Sequence, residues 1–143
     1  MIPFKISNTF RQTNKMNNFK HRSTAFCGSL LCLFAVAIGA FGAHALKEIL
    51  VANDRIDVFE LANRYQFYHG LALLAFATLS NESPKHPSLK LINLLMLLGV
   101  IIFSGSLYAL ALSNVGIFGA ITPIGGVLLI ASWGLFSWRI LKT

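Results

Sequence analysis

Two histidines, a set of hydroxyls and one arginine carry most of the chemistry open to this chain. Tyr65 and His69 stand four residues apart, as do Ser104 and Tyr108, so on helices each pair shares a face. If both faces turn to one centre, with His44, Gln66, Ser106 and Thr122 nearby and Arg64 at the mouth, they form an outward-facing polar cluster. Its titratable members are His44 and His69, whose imidazoles exchange protons near neutrality. The competing reading is a hydrogen-bonded packing knot between helices, the common use of polar side chains inside membranes.

Other chemistry is not expected. Two histidines without a carboxylate or thiol at ligand spacing fall short of the three or four donors that a metal site wants, so neither metal nor cofactor is foreseen. Cys27 and Cys32, five apart, point to different helical faces and read as small packing residues. There is no Gly-rich phosphate loop, nucleophile elbow or HExxH, and no nucleophile with an evident base, so the chain is not expected to be an enzyme.

The elements that must position these residues are four apolar stretches, Ala25–Ala43, Tyr65–Leu79, Leu91–Leu112 and Val115–Trp138, none of which contains Asp, Glu, Lys or Arg. A hydrocarbon core about 30 Å thick needs roughly 20 apolar helical residues. The chain therefore reads as all-α: a polytopic membrane protein forming an antiparallel four-helix transmembrane bundle, with spans at about 25–46, 62–80, 91–112 and 115–138. At 143 residues, 55% hydrophobic and a mean hydropathy of +0.66, residues 25–143 are one membrane domain. The second span is the shortest; Asn53 and Asp54 are candidate N-caps for a longer helix, Asp54–Leu79.

Charge sets the orientation. The net charge is +7, but the basic residues flank apolar spans, which points to anionic lipid rather than nucleic acid. Nine of the twelve Lys and Arg fall on the side shared by the N-terminus, the Ser80–Lys90 loop and the C-terminus, against Lys47, Arg55 and Arg64 on the other. The positive-inside rule then places both termini in the cytoplasm. Residues 1–24 are a basic extension expected to be disordered, with Met16 an alternative start. A cleaved signal peptide ending at Ala43-His44-Ala45 is the lesser alternative, because the apolar run is long for an h-region.

Small residues supply a second pattern. Ala35, Gly39 and Ala43 repeat every four residues, with Gly42 beside them, and clear one face of the first span; Gly116, Gly119, Gly125 and Gly126 do the same in the fourth. Pro123 removes a backbone donor and frees the carbonyl of Gly119, bending or breaking the fourth span. A kink of this kind either serves packing or lines a small polar site, as in transporters with broken helices.

GAFGAHALK at Gly39–Lys47, NRYQFYHGLALL at Asn63–Leu74, FSGSLYALAL at Phe103–Leu112 and GAITPIGG at Gly119–Gly126 together resemble domain-of-unknown-function family 423 (DUF-423), small inner-membrane proteins. The resemblance runs from about Phe19 to the end; the N-terminal extension and the loop around Pro84 and Pro87 depart from it. It implies a small multi-span membrane protein, usually bacterial and in the inner (plasma) membrane, and brings no reaction, ligand or catalytic residue. The expected role is that of an accessory or structural membrane protein, acting through helix packing, as a homo-oligomer or within a larger membrane complex. The alternative is a small channel or transporter with an outward-facing polar site around the two histidines.

Overall fold

A computed structural model describes the backbone of residues 4–78 and 88–142 and the side chains of residues 22–78 and 88–142. Among the described residues the chain is helical: α1 (Phe4–Ala43), α2 (Lys47–Ala52), α3 (Ile56–Thr78), α4 (Leu89–Ser113) and α5 (Ile117–Lys142). Arg22–Ala43, Leu89–Ser113 and Ile117–Lys142 are long and apolar enough to cross a membrane. Helix α3 is less apolar than these: Asp57, Glu60 and Arg64 are joined by Asn63, Gln66 and His69 in its first four turns.

The boundaries differ from the sequence expectation at several points. Helix α1 begins at Phe4 and includes the basic stretch that composition marks as disordered; Phe4–Cys27 holds neither Pro nor Gly, so nothing in the backbone stops a helix growing back from the apolar span. Its end comes at Ala43, leaving His44 in the turn that follows rather than in the span. The loop around Pro84 and Pro87 lies outside the described residues. Helix α5 runs unbroken through Pro123, two turns from its start.

Asn53 and Asp54 do not cap α3. Asp54 is left-handed (φ 54°) and closes α2: its N–H reaches the Val51 carbonyl and the N–H of Arg55 reaches that of Leu50, both at 3.0 Å. Asn53 instead crosses to another helix, its amide donating to the carbonyls of Ala111 (2.9 Å) and Leu112 (3.1 Å) at the end of α4. Those carbonyls have no partner within their own helix. Asn114, also left-handed (φ 55°), turns the chain into α5, and Arg55 donates to its side chain at 3.3 Å. Asn53→Ala removes both donors at once and is expected to lower stability by about 1–2 kcal/mol, read as a fall in thermal unfolding temperature in detergent.

Helices α3 and α4 form the central pair. Helix α1 packs on α3 and α5 on α4, and no comparable packing joins α1 to α5 among the described residues. Each neighbouring pair runs antiparallel: Gly28 meets Gly70 while Gly42 meets Phe59, and Gly99 meets Leu129 while Ser106 meets Thr122. The main core joins Leu73 and Phe76 of α3, Ile92, Met96 and Val100 of α4, and Leu129 and Phe136 of α5, with Phe76 and Phe136 stacked at 3.7 Å. A second cluster at the end of the bundle holding α2, here termed the turn end, gathers Leu50, Phe59 and Ala111.

Candidate functional site

The seam between α1 and α3 is built from small residues on one side and amides on the other. On α1, Gly28, Cys32, Ala35, Gly39 and Gly42 alternate steps of four and three, which keeps one face narrow along about four turns. On α3, Asn63, Gln66 and Gly70 share the opposing face. The Asn63 amide donates to the Ala35 carbonyl at 2.6 Å, the Gln66 amide to Leu31 at 2.9 Å, and the Cys32 thiol to Phe67 at 3.8 Å. Gly28 and Gly70 mark the closest approach; a Cβ on Gly28 would lie 2.7 Å from the Gly70 carbonyl oxygen. Gly42 leaves room for the Phe59 ring, and Gly39 faces the Asn63 amide, whereas Ala43 is exposed off the seam.

Between α4 and α5 the same logic holds. A Cβ on Gly125 would collide with the Phe103 backbone, and Gly99 receives Leu129. Gly119 and Gly126 make only ordinary contacts, and Gly116 faces open space, so three of the four glycines expected to pack this helix are not needed for close approach. Ser132, fully buried, donates to the Ile92 carbonyl at 2.8 Å. Ser106 and Thr122 meet at 2.8 Å, and their oxygens also lie within bonding distance of the Phe103 (3.0 Å) and Phe118 (3.2 Å) carbonyls. Two hydroxyl protons thus serve three contacts. Thr122 turns to Phe118 rather than to the Gly119 carbonyl that Pro123 frees.

The nine residues expected to form one polar cluster are spread over separate places. His69 is buried; its Nδ1 lies 2.7 Å from the Tyr65 carbonyl, which can only accept, so Nδ1 carries the proton. Its ring stacks on Tyr65 and meets Trp133 edge-on, while Tyr65 stacks on Phe103 at 4.6 Å. Gln66 belongs to the α1 seam and Ser106 with Thr122 to the α5 seam. Ser104 and Tyr108 are each without a hydrogen-bond partner; the Tyr108 hydroxyl faces the Asn63 amide without meeting bonding geometry, and its ring lies edge-on to Phe59. His44 is exposed in the turn after α1. The faces share residues at the right spacing, but the rotation of one helix against the next is a tertiary property, and it keeps them apart.

What the sequence did not mark is a cavity of about 440 Å³ at the turn end, between the end of α1, α2 and the start of α3. Gly42, Leu50 and Phe59 give it an apolar floor. Lys47, Glu60 and Arg64, all exposed, stand around it with Asn63. Arg64 is thus at a mouth, as expected, but of a cavity whose lining includes neither histidine. The only signal for it in the sequence is Glu60 and Arg64 at i, i+4, one face of α3, close after the basic turn residue Lys47.

Comparison with known proteins adds the following. A family model described as "Protein of unknown function (DUF423)" matches residues 38–126, which takes in all four sequence motifs. Over 106 residues the chain is 47% identical to a UPF0382 membrane protein of Staphylococcus saprophyticus, covering 74% of this chain and 86% of that one. It is 41% identical over 106 residues to the UPF0382 membrane protein YwdK of Bacillus subtilis, covering 74% and 85%. No solved structure matches.

Proposed function

We propose that this chain, which belongs to the DUF423 family, has relatives named membrane proteins and carries three helices long and apolar enough to cross a bilayer, is a four-span accessory or structural membrane protein that acts by helix packing, alone or with a partner, and not by catalysis. In this reading α1, α3, α4 and α5 all cross the bilayer and both termini face the cytoplasm. Helix α3 has 23 residues, about 34 Å of helix at 1.5 Å per residue, just over the hydrocarbon thickness; Asp57 and Glu60 then sit near the interface, and Arg64, about 12 Å into the helix, reaches it by extending its side chain outward.

One observation carries the role. Five polar side chains along the helix seams hold neighbouring helices together: Asn63 to Ala35, Gln66 to Leu31, Ser106 with Thr122, and Ser132 to Ile92. A channel or transporter around the two histidines has less support, since His44 is exposed in a turn and His69 lies thirteen residues into α3 under Trp133.

Cysteine accessibility separates the two. In full-length protein carrying Cys27→Ala and Cys32→Ala, reconstituted in vesicles, single cysteines at 44, 69 and 106 are treated with a membrane-impermeant thiol reagent. Labelling at 44, with protection at 69 and 106, is expected for a dry packed bundle. Labelling at 69 and 106 from the same side would mean a water-filled path and would overturn the packing role.

A further inference from the structure

The cavity at the turn end has a charge set that the packing role leaves unused. Glu60 and Arg64, four residues apart on α3 and well placed for a helix ion pair, do not form one, and neither do Lys47 and Glu60. No hydrogen bond within the described residues occupies any of the three. Two cations and one carboxylate therefore surround an apolar floor of Gly42, Leu50 and Phe59 with their charges uncommitted.

The surroundings are those of a membrane interface. Beside Lys47, the apolar side chains of Ile49, Val51 and Ile56 are exposed around this end, next to Phe41 at the end of α1. Apolar side chains exposed beside charges suit the level where acyl chains give way to headgroups. A volume of about 440 Å³ lies within the range of small-ligand pockets. A ligand that satisfies every group there has an anionic centre for Lys47 and Arg64, a cationic centre for Glu60, and an apolar part for the floor.

We propose that this cavity binds one phospholipid with a phosphoethanolamine headgroup, its phosphate held by Arg64 and Lys47 and its ammonium by Glu60. Arg64 offers the phosphate paired N–H donors and Lys47 a point charge. Glu60 sets the choice of headgroup: a phosphatidylglycerol brings no ammonium and leaves the carboxylate facing a second negative charge, whereas a trimethylated headgroup offers charge without N–H donors. The assignment asks only that the chain lie in a membrane, and it holds in either orientation.

The test is native mass spectrometry of the full-length protein in detergent, titrated with an equimolar mixture of phosphatidylethanolamine, phosphatidylglycerol and phosphatidylcholine of identical acyl chains. One phosphatidylethanolamine is expected to be retained about tenfold more than either competitor. Arg64→Gln and Lys47→Gln each lower its retention about tenfold, and Glu60→Gln abolishes the preference over phosphatidylglycerol. Ala43 also lines the cavity, and Ala43→Trp, which fills it without changing charge, blocks retention. Equal retention of the three lipids, a preference for phosphatidylglycerol, or a preference that survives Glu60→Gln overturns the proposal. All four positions are exposed, and thermal unfolding matching the wild type confirms that each variant is folded.

Discussion

Gly125→Ala is expected to destabilise the protein by about 1–2 kcal/mol, while Gly126→Ala, one residue on, leaves it unchanged or slightly more stable. Alanine in place of glycine within a helix gains about 0.5–1 kcal/mol from backbone entropy wherever the methyl has room. At Gly126 it has room: the nearest atoms are on the Phe103 ring, 3.8 Å away. At Gly125 the methyl runs into the backbone of Phe103, which α4 cannot move without disturbing the Ser106 and Thr122 contacts one turn away. Overpacking of this kind costs about 1–3 kcal/mol and overrides the propensity gain. The measurement is thermal unfolding in detergent, where the cost appears as a fall of about 3–8 °C. A Gly125→Ala protein as stable as Gly126→Ala would show that α4 and α5 do not approach at Phe103.

Gly28→Leu is the second large effect, and it falls on the other seam. A Cβ at Gly28 would lie 2.7 Å from the Gly70 oxygen, 3.0 Å from the Leu74 nitrogen and 3.1 Å from the Leu73 Cβ, so a leucine must push α1 off α3. The Asn63, Gln66 and Cys32 bonds span the same seam and are lost with it. The expected outcome is a cost of about 3 kcal/mol or more, with Cys32 reacting with a membrane-permeant thiol reagent several times faster than in the wild type. Gly105→Leu, where no neighbour lies within 4 Å, serves as the control and should react at the wild-type rate. Equal reactivity in the two variants would place the α1–α3 contact elsewhere.

The helices were legible because lipid leaves an apolar stretch little choice: with no water to bond the backbone, a helix is the form that satisfies it within one segment. That is why α4 and α5 fall within a few residues of the apolar runs that announce them. The seams were legible in part. Gly39 and Gly125 stand out by spacing, but Gly28 sits at the start of its span and Gly70 in the middle of another, and each makes sense only beside its partner. The polar cluster was misread for a different reason. Spacing of i, i+4 shows that Ser104 and Tyr108 share a face without showing which neighbour that face meets, and α4 turns Ser106 to α5 instead. The cavity was beyond reach, because it exists only once α2 folds back and brings Lys47 alongside Glu60 and Arg64.

The central pairing of α3 and α4, with α1 and α5 on opposite flanks, has a consequence for how the protein is made. Helix α1 waits only for α3, which follows it after one short helix; α4 docks on α3, and α5 on α4 after a three-residue turn. No contact on the scale of these seams joins the first helix to the last among the described residues, so no long loop must close before the structure can hold. Topologies dominated by such near-neighbour contacts assemble quickly, because little chain entropy is lost before each contact forms. Each helix can therefore settle against one already in the bilayer while the ribosome is still supplying the next.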